Sequence, residues 1–263
     1  MIILTANYCI MNWLAALEHR NTLLYWFGWF CFLGGITCII AAKTTHTEIN
    51  NINAFIKPVK FFLSVWIFSW TMGWIAHELN QPGKVFSYSI MVVIVMLFEL
   101  FVITWQAANG RLSHFNISRA LYANLFTLMG IAIAALTIGT FILGLQFWKI
   151  DTPKIEAGYL WGIRLGIILF AVFSFQGGIM AAKLQHTIGA ADGSRGLPIV
   201  NWSKQYGDLR IAHFLGIHAL QLLPLLGYFI FKKPVAIISF AAVYTIAVSY
   251  TLLQALKGIP LFK

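Results

Sequence analysis

The side chains best suited to chemistry in this sequence are a glutamate, several histidines and a few amides that interrupt long apolar stretches. Ionisable groups inside a membrane span are costly, and those that persist face a partner, a cavity or a substrate. Glu99 lies about nine residues, roughly 13 Å, from the C-terminal end of its apolar stretch. His218 lies at a similar depth measured from the N-terminal end of its own stretch. If consecutive stretches cross a membrane in alternate directions, both groups sit in the same half of it. A carboxylate and an imidazole at one depth can share acid–base work or ligate one centre.

Further polar residues collect on that side. Gln176 lies about eight residues, some 12 Å, from the same surface, and Gln221 is one turn below His218. Gln106, His213, Arg210 and Lys60 come nearer the surface, and the adjoining loops contribute Arg111, His114 and His186. Glu99 and His218 are therefore expected to form the catalytic pair. His114, His186 and His213 would be metal ligands or proton shuttles. Lys60, Arg111 and Arg210 would attract an anionic substrate or lipid headgroup, with Gln106, Gln176 and Gln221 lining its path.

Several chemistries could use this set. Four histidines and a glutamate could supply a transition-metal site, although His213 and His218 are five apart, about 140° around a straight helix, and no HExxH spacing occurs. Haem b needs axial histidines from different helices at comparable depth, and His218 alone is deep. A proton-coupled transporter of a small anionic solute would need a matching polar path from the other side, where only His77, Glu78 and Arg164 break the apolar pattern. These are expected to be structural, with Arg164 snorkelling to the interface. Interhelical hydrogen bonding explains single residues such as Gln176 or Gln221, at about 0.6–2 kcal/mol each, better than the whole set.

The elements that must position these groups follow from composition. Of 263 residues, 60% are hydrophobic and 10% charged, against roughly 45–50% and about 25% in soluble chains. A soluble enzyme, a disordered chain and a disulfide scaffold are excluded. Seven stretches are long and apolar enough to span a bilayer: 23–42, 58–76, 86–108, 120–147, 158–184, 209–231 and 234–256. The expectation is a single all-α integral membrane domain, a polytopic transmembrane bundle of about seven helices. Residues 1–17 are apolar but short and read as an interfacial or partly inserted segment. Pro224 is expected to kink the sixth span beyond Gln221. Gly158, Gly162 and Gly166 recur every four residues on the fifth, suited to close approach of a neighbouring helix. Cys9, Cys31 and Cys38 have no CxxC spacing and read as small hydrophobes.

The net charge of +10 is read as loop charge around spans, not as a nucleic-acid signal. The face of the N-terminus and even-numbered loops, side A, carries six basic residues, and the opposite face, side B, eleven. Side B, which holds the polar set, is thus expected to be cytoplasmic. The loop between the fifth and sixth spans, about 24 residues from Gln185 to Asp208, is long enough for a lid or binding loop, and Asp208 is placed to cap the helix that follows.

Four motifs carry a resemblance: Lys-Pro-Val-Lys-Phe (57–61), Gln106-x-x-x-Gly110-x-x-Ser113-His-Phe-Asn116, His-Thr-Ile-Gly (186–189), and Gly207-Asp-Leu-Arg-x-x-His213-Phe-x-x-x-His218-x-x-Gln221-x-Leu-Pro224. Together they resemble a family of uncharacterised bacterial polytopic membrane proteins. The resemblance implies a bacterial inner-membrane location and no particular reaction. The expected function is a membrane-embedded metal- or haem-dependent enzyme or redox protein with a one-sided polar cavity; the alternative is the transporter.

Overall fold

The structure, a computed structural model, describes residues 12–150, 155–193, 196–197 and 200–261. Cys9, Lys154, Arg195, Lys263 and most of the first apolar segment lie outside them. Among the described residues six unbroken helices are long and apolar enough to cross a membrane, and one bent pair makes a seventh span if counted as one. The chain is an all-α polytopic membrane protein.

The first described helix, α1 (residues 12–20), ends where the chain turns at Asn21. Trp13 and Tyr25, on either side of that turn, both lie against Trp70, with ring centroids 5.6 and 6.1 Å away. Residues 12–20 therefore lie alongside the last two turns of the helix that carries Trp70. Asn21 caps α2 (Thr22–Thr44), accepting from the Leu24 N–H at 3.0 Å. It also donates to Ser89 at 2.8 Å.

A two-stranded hairpin follows, β1 (Glu48–Ile49) and β2 (Ile52–Asn53). It turns through Asn50 and Asn51, both at positive φ, a conformation asparagine tolerates. The Asn53 amide donates to the Ala42 and Thr45 carbonyls at 3.0 and 2.8 Å, fastening the hairpin to the end of α2. Next come α3 (Ile56–His77), α4 (Pro82–Ala108), and α5 (Ala120–Leu145) with its 3-10 extension Gln146–Lys149. Pro82 stands in the first turn of α4, where its missing N–H does no harm. Then come α6 (Ala157–Lys183), β3 (Thr187–Ile188), β4 (Gly207–Asp208), α7 (Leu209–Ile217), α8 (Ala219–Phe229) and α9 (Pro234–Leu256).

The sixth span is broken at His218, with α7 and α8 bent by 41°. The break is six residues before Pro224, whereas the expected kink lay beyond Gln221. A proline strains the turn preceding it, and just before the break Gly216 is pressed under the Phe173 ring, where a Cβ would meet Cγ at 2.0 Å.

Packing closes a ring: α3 on α4, α4 on α5, α5 on α6, α6 on α8, and α8 back on α3. The main core fills it with Phe62, Val65, Phe68 and Met72 of α3, Val92, Met96 and Leu100 of α4, and Ile163, Ile167 and Phe170 of α6. Outside it, α2 covers α3, and α9 covers α6 and α7. The glycine stripe of α6 serves contact within the chain. Gly158 faces the Phe231 and Lys232 backbone, Gly162 faces Leu223, and Gly166 faces Ala219 and Leu220.

Candidate functional site

The three side-B connections meet above the ring. Gly110 approaches Thr47, and Gly193 approaches Asn50; an added Cβ would lie 3.2 Å from its neighbour in each case. The Phe115 and His186 rings lie 4.8 Å apart, joining the α4–α5 loop to the α6–α7 loop. β3 pairs with β4, Thr187 opposite Asp208, and returns the long loop to the start of α7.

Two carboxylates organise this roof. Asp208 caps α7 as expected, accepting from the Arg210 N–H at 3.0 Å and the Ser203 N–H at 2.8 Å. It also takes both arms of the Arg210 guanidinium, at 2.9 and 2.6 Å, while Arg210 donates to the Asn201 carbonyl at 2.6 Å. Arg210, expected to attract substrate, is instead a clamp with its charge neutralised locally. Asp192 accepts from the His186 and Thr187 N–H groups at about 3.0 Å and from His186 Nδ1 at 2.7 Å. Burial alone would raise its carboxyl, but the bonds from His186 and Thr187 outweigh it and hold Asp192 below the usual carboxylate range. Burial, helped by the Arg210 and Lys57 charges, keeps His186 below the ordinary imidazole value despite Asp192. At neutral pH the contact is thus a neutral imidazole donating Nδ1–H to a carboxylate, with Nε2 left as a base.

His213 and His218 also present Nδ1 to an acceptor, and His114 Nδ1 meets a hydroxyl. His213 Nδ1 lies 2.7 Å from the Phe173 carbonyl, which can only accept, so Nδ1 carries the proton. Its ring rests on Gly177, where a Cβ would meet Cε1 at 3.1 Å. His218 Nδ1 lies 3.1 Å from Gln221 Oε1, and Gln221 donates onward to Thr71 at 3.4 Å, bridging the broken span to α3. His114 Nδ1 contacts the Ser113 hydroxyl at 3.1 Å. Burial, then the positive charge of Lys57, holds His114 well below its ordinary value. None of the four has a hydrogen bond at Nε2 among the described residues.

Beneath the roof, Glu99 is 5% exposed and its Oε1 has no hydrogen-bond partner among the described residues. The same holds for Gln106 Oε1 and for both amide atoms of Gln176, at 1% and 7% exposure. Lys57, in the first turn of α3, has its ammonium over the Phe61 ring at 5.9 Å. Lys60 reaches the Val200 carbonyl at 3.4 Å. Arg111 lies over the Tyr122 ring at 5.1 Å, towards the rim.

The expected metal centre does not assemble. Among the described residues no three His, Cys, Asp or Glu side chains converge to hold a metal ion. His114 and His186 belong to the roof, His213 to α7 and His218 to the break, so they form a descending series rather than a cage. Haem b fares no better. The two in-span histidines of side B share one broken span, so opposite helices offer no axial pair. A groove of about 390 Å³ between α6 and α9, lined by Leu165, Leu169, Ile238 and Thr245 among others, is apolar and contains none of the site residues.

Side A is committed throughout its buried charges. Arg20 pairs with Glu78 at 2.6 Å. Arg164 does not snorkel. It donates to the Phe147 and Ile150 carbonyls at 2.9 and 3.3 Å, capping the end of α5, between the Trp148 and Trp161 rings. Of the polar groups nearer side A, the Tyr159 and Ser69 hydroxyls are buried without partners among the described residues.

Sequence reasoning passed over Lys57, Asp192 and Thr71. Lys57 is three residues before Lys60, a spacing that puts both on one helix face. Asp192 and Thr71 gave no such signal, since their roles depend on contacts across the fold. Comparison with protein-family models, curated proteins and solved structures gave no match, and the functional reading rests on this chain's own geometry.

Proposed function

We propose that this protein is a membrane-embedded enzyme that performs acid–base chemistry on an anionic, membrane-associated substrate admitted from side B. The observation that carries the reading is the asymmetry of commitment. On side A the buried charges are capped or paired. On side B a buried carboxyl and two buried amides have atoms without partners among the described residues, and four half-buried histidines make no hydrogen bond at Nε2. Polar groups held uncommitted in a low-dielectric setting are poised for a substrate's charge and protons. In this reading Glu99 and His218 handle the substrate's protons at depth, and His213 and His186 relay them towards the roof. Gln106 and Gln176 hydrogen-bond the substrate, and Arg111 draws it in at the rim.

The eleven-to-six excess of basic residues on side B supports a cytoplasmic roof, and the motif set supports a bacterial inner membrane. A transporter would need a second polar approach from side A, where buried charges are already engaged. The test uses the full-length protein reconstituted in bilayer nanodiscs, incubated with a membrane-lipid and polar-metabolite extract and followed by mass spectrometry. A product whose formation is lost in Glu99→Gln and His186→Ala supports the reading. No Glu99-dependent product, together with Glu99-dependent solute flux in sealed vesicles, overturns it in favour of transport. Metal analysis and an absorption spectrum of the same preparation check the absence of a multi-histidine metal or haem centre.

A further inference from the structure

Beyond the enzyme reading, with which it shares only His218, we propose that the seam between α3 and α7 admits a lipid alcohol sideways from the bilayer and seats its hydroxyl on His218 Nε2. α8 closes the ring on α3, but α7 packs on α6 and α9 and makes no comparable contact with α3 among the described residues. Two rows line the seam. Lys60, Ile67 and Thr71 share one face of α3, and Arg210, Phe214 and His218 follow at every fourth residue along the broken span. None of the six is buried, and Ile67 and Phe214, both within spans, are 39% and 41% exposed. The seam is shut at both ends. At the top Lys60 donates to the Val200 carbonyl, Arg210 donates to the Asn201 carbonyl, and the Trp202 ring lies 5.5 Å from Phe214. At the bottom Gln221 reaches Thr71. Between Lys60 and Thr71 runs about 16 Å of helix, open sideways to lipid.

Hydrogen bonds fix what the seam can receive. Thr71 spends its proton on the Ile67 carbonyl at 2.7 Å, so its oxygen accepts from Gln221 Nε2 at 3.4 Å. Gln221 Oε1 is then turned to His218, 3.1 Å away, and can only accept, so Nδ1 carries the proton. Among the described residues no carboxylate lies within 4.0 Å of this ring to hold it charged, the ion pairs there being Arg20–Glu78, His186–Asp192, Arg210–Asp208 and Lys232–Glu156. Nε2 is therefore a lone pair on a half-buried ring inside a span, with no hydrogen bond among the described residues. A bare acyl chain leaves it unmet, and an ester oxygen repels it. A neutral O–H satisfies it, at far less cost in hydrocarbon than a charged group. The Phe214 ring, 4.3 Å from His218, supplies an apolar wall for the chain that carries the hydroxyl. An acylglycerol and an isoprenoid alcohol present the same group.

The test uses the full-length protein in phosphatidylcholine nanodiscs and reads saturable binding of radiolabelled dioleoylglycerol or geranylgeraniol above that of empty nanodiscs. Binding of either supports the proposal, dioleoylglycerol alone pointing to an acylglycerol source and geranylgeraniol alone to an isoprenoid one. The methyl ether of each probe keeps the chain and loses the donor, and should bind about tenfold more weakly, the loss of one hydrogen bond. His218→Phe should cost the alcohols the same factor and leave ether binding as it was, which also shows that the variant folds. Ile67→Trp fills the seam and should abolish binding, whereas Val243→Trp, at a 66% exposed position of α9, should change nothing. No saturable binding of either alcohol, ether binding equal to that of the alcohol, or equal loss in the Val243 variant overturns the proposal. Alcohol binding without any Glu99-dependent product leaves this inference standing and refutes the enzyme reading. Such a product without alcohol binding does the reverse.

Discussion

Replacing Gly162 by alanine should loosen the contact between α6 and α8 that supports one wall of the site. A Cβ on Gly162 would lie 2.4 Å from the Leu223 carbonyl oxygen, 2.8 Å from its carbon and 2.9 Å from Pro224 Cα. Ordinary contact begins at 3.4 Å, so the backbones must part by about 1 Å. All three atoms are backbone, and no rotamer change relieves the clash. Overpacking of side chains typically costs about 1–3 kcal/mol, and a backbone clash belongs at the upper end. Alanine returns about 1 kcal/mol through its better helix propensity, leaving a net loss of about 2 kcal/mol. Gly130→Ala on α5 is the control, because nothing lies within 4 Å of its added Cβ. That change should stabilise by about 0.4–1 kcal/mol. Reversible unfolding in mixed micelles, read by tryptophan fluorescence, gives both values. If Gly162→Ala proved as stable as Gly130→Ala, the close α6–α8 packing described above would be wrong.

Three further outcomes follow from committed groups. Asp192→Asn removes the charge from an acceptor with several donors and should destabilise the β3 loop by about 2–3 kcal/mol, read as faster amide exchange at residues 186–188. Because Asp192 is depressed in the folded protein, its contribution is complete above the unfolded value of about 3.9 and fades only as pH falls towards the lower folded value; loss of protection well above that unfolded value would contradict the clamp. His114, held well below its ordinary value, should show no titration near about pH 6.5 in nitrogen-15 spectra, and a normal titration curve there would contradict its burial beside Lys57. Arg164→Gln leaves the Phe147 and Ile150 carbonyls uncapped and should lower stability by about 2–3 kcal/mol, whereas a snorkelling arginine would be replaced at little cost in the same unfolding assay.

Membrane spans were legible because bilayer thickness imposes a length and lipid imposes composition, and both are properties of single segments. The depth of Glu99 followed from the same arithmetic. What could not be read depends on distant contacts. Arg210 looked like a free cation because nothing local says that Asp208 and the Asn201 carbonyl enclose it. Arg164 looked like a snorkelling residue because its acceptors are supplied by the end of the preceding span. His213 and His218 were placed on one span, and the break falls at His218 itself, two residues after Gly216 packs against the Phe173 ring of α6, a contact between distant segments.

The contrast between the two halves of the bundle constrains where selection can have acted. An unsatisfied buried polar group costs about 1–3 kcal/mol, and the side-B half carries several at Glu99, Thr104, Gln106 and Gln176. A purely structural role predicts the opposite pattern, since interhelical hydrogen bonds stabilise only when both partners are engaged. The same chain does engage its partners elsewhere, at Asn21–Ser89, Tyr88–Thr140 and Arg20–Glu78, 2.8, 2.9 and 2.6 Å apart. Groups left open beneath a roof fastened by Asp192, Asp208 and Asn53 are a cost concentrated at Glu99, Thr104, Gln106 and Gln176, against single unpartnered atoms at Trp66, Ser69 and Tyr159 elsewhere. Such costs collect at functional sites. Substituting Glu99 by glutamine should therefore leave stability unchanged or raise it while abolishing function, whereas the same change at an engaged residue such as Glu78 should lower stability.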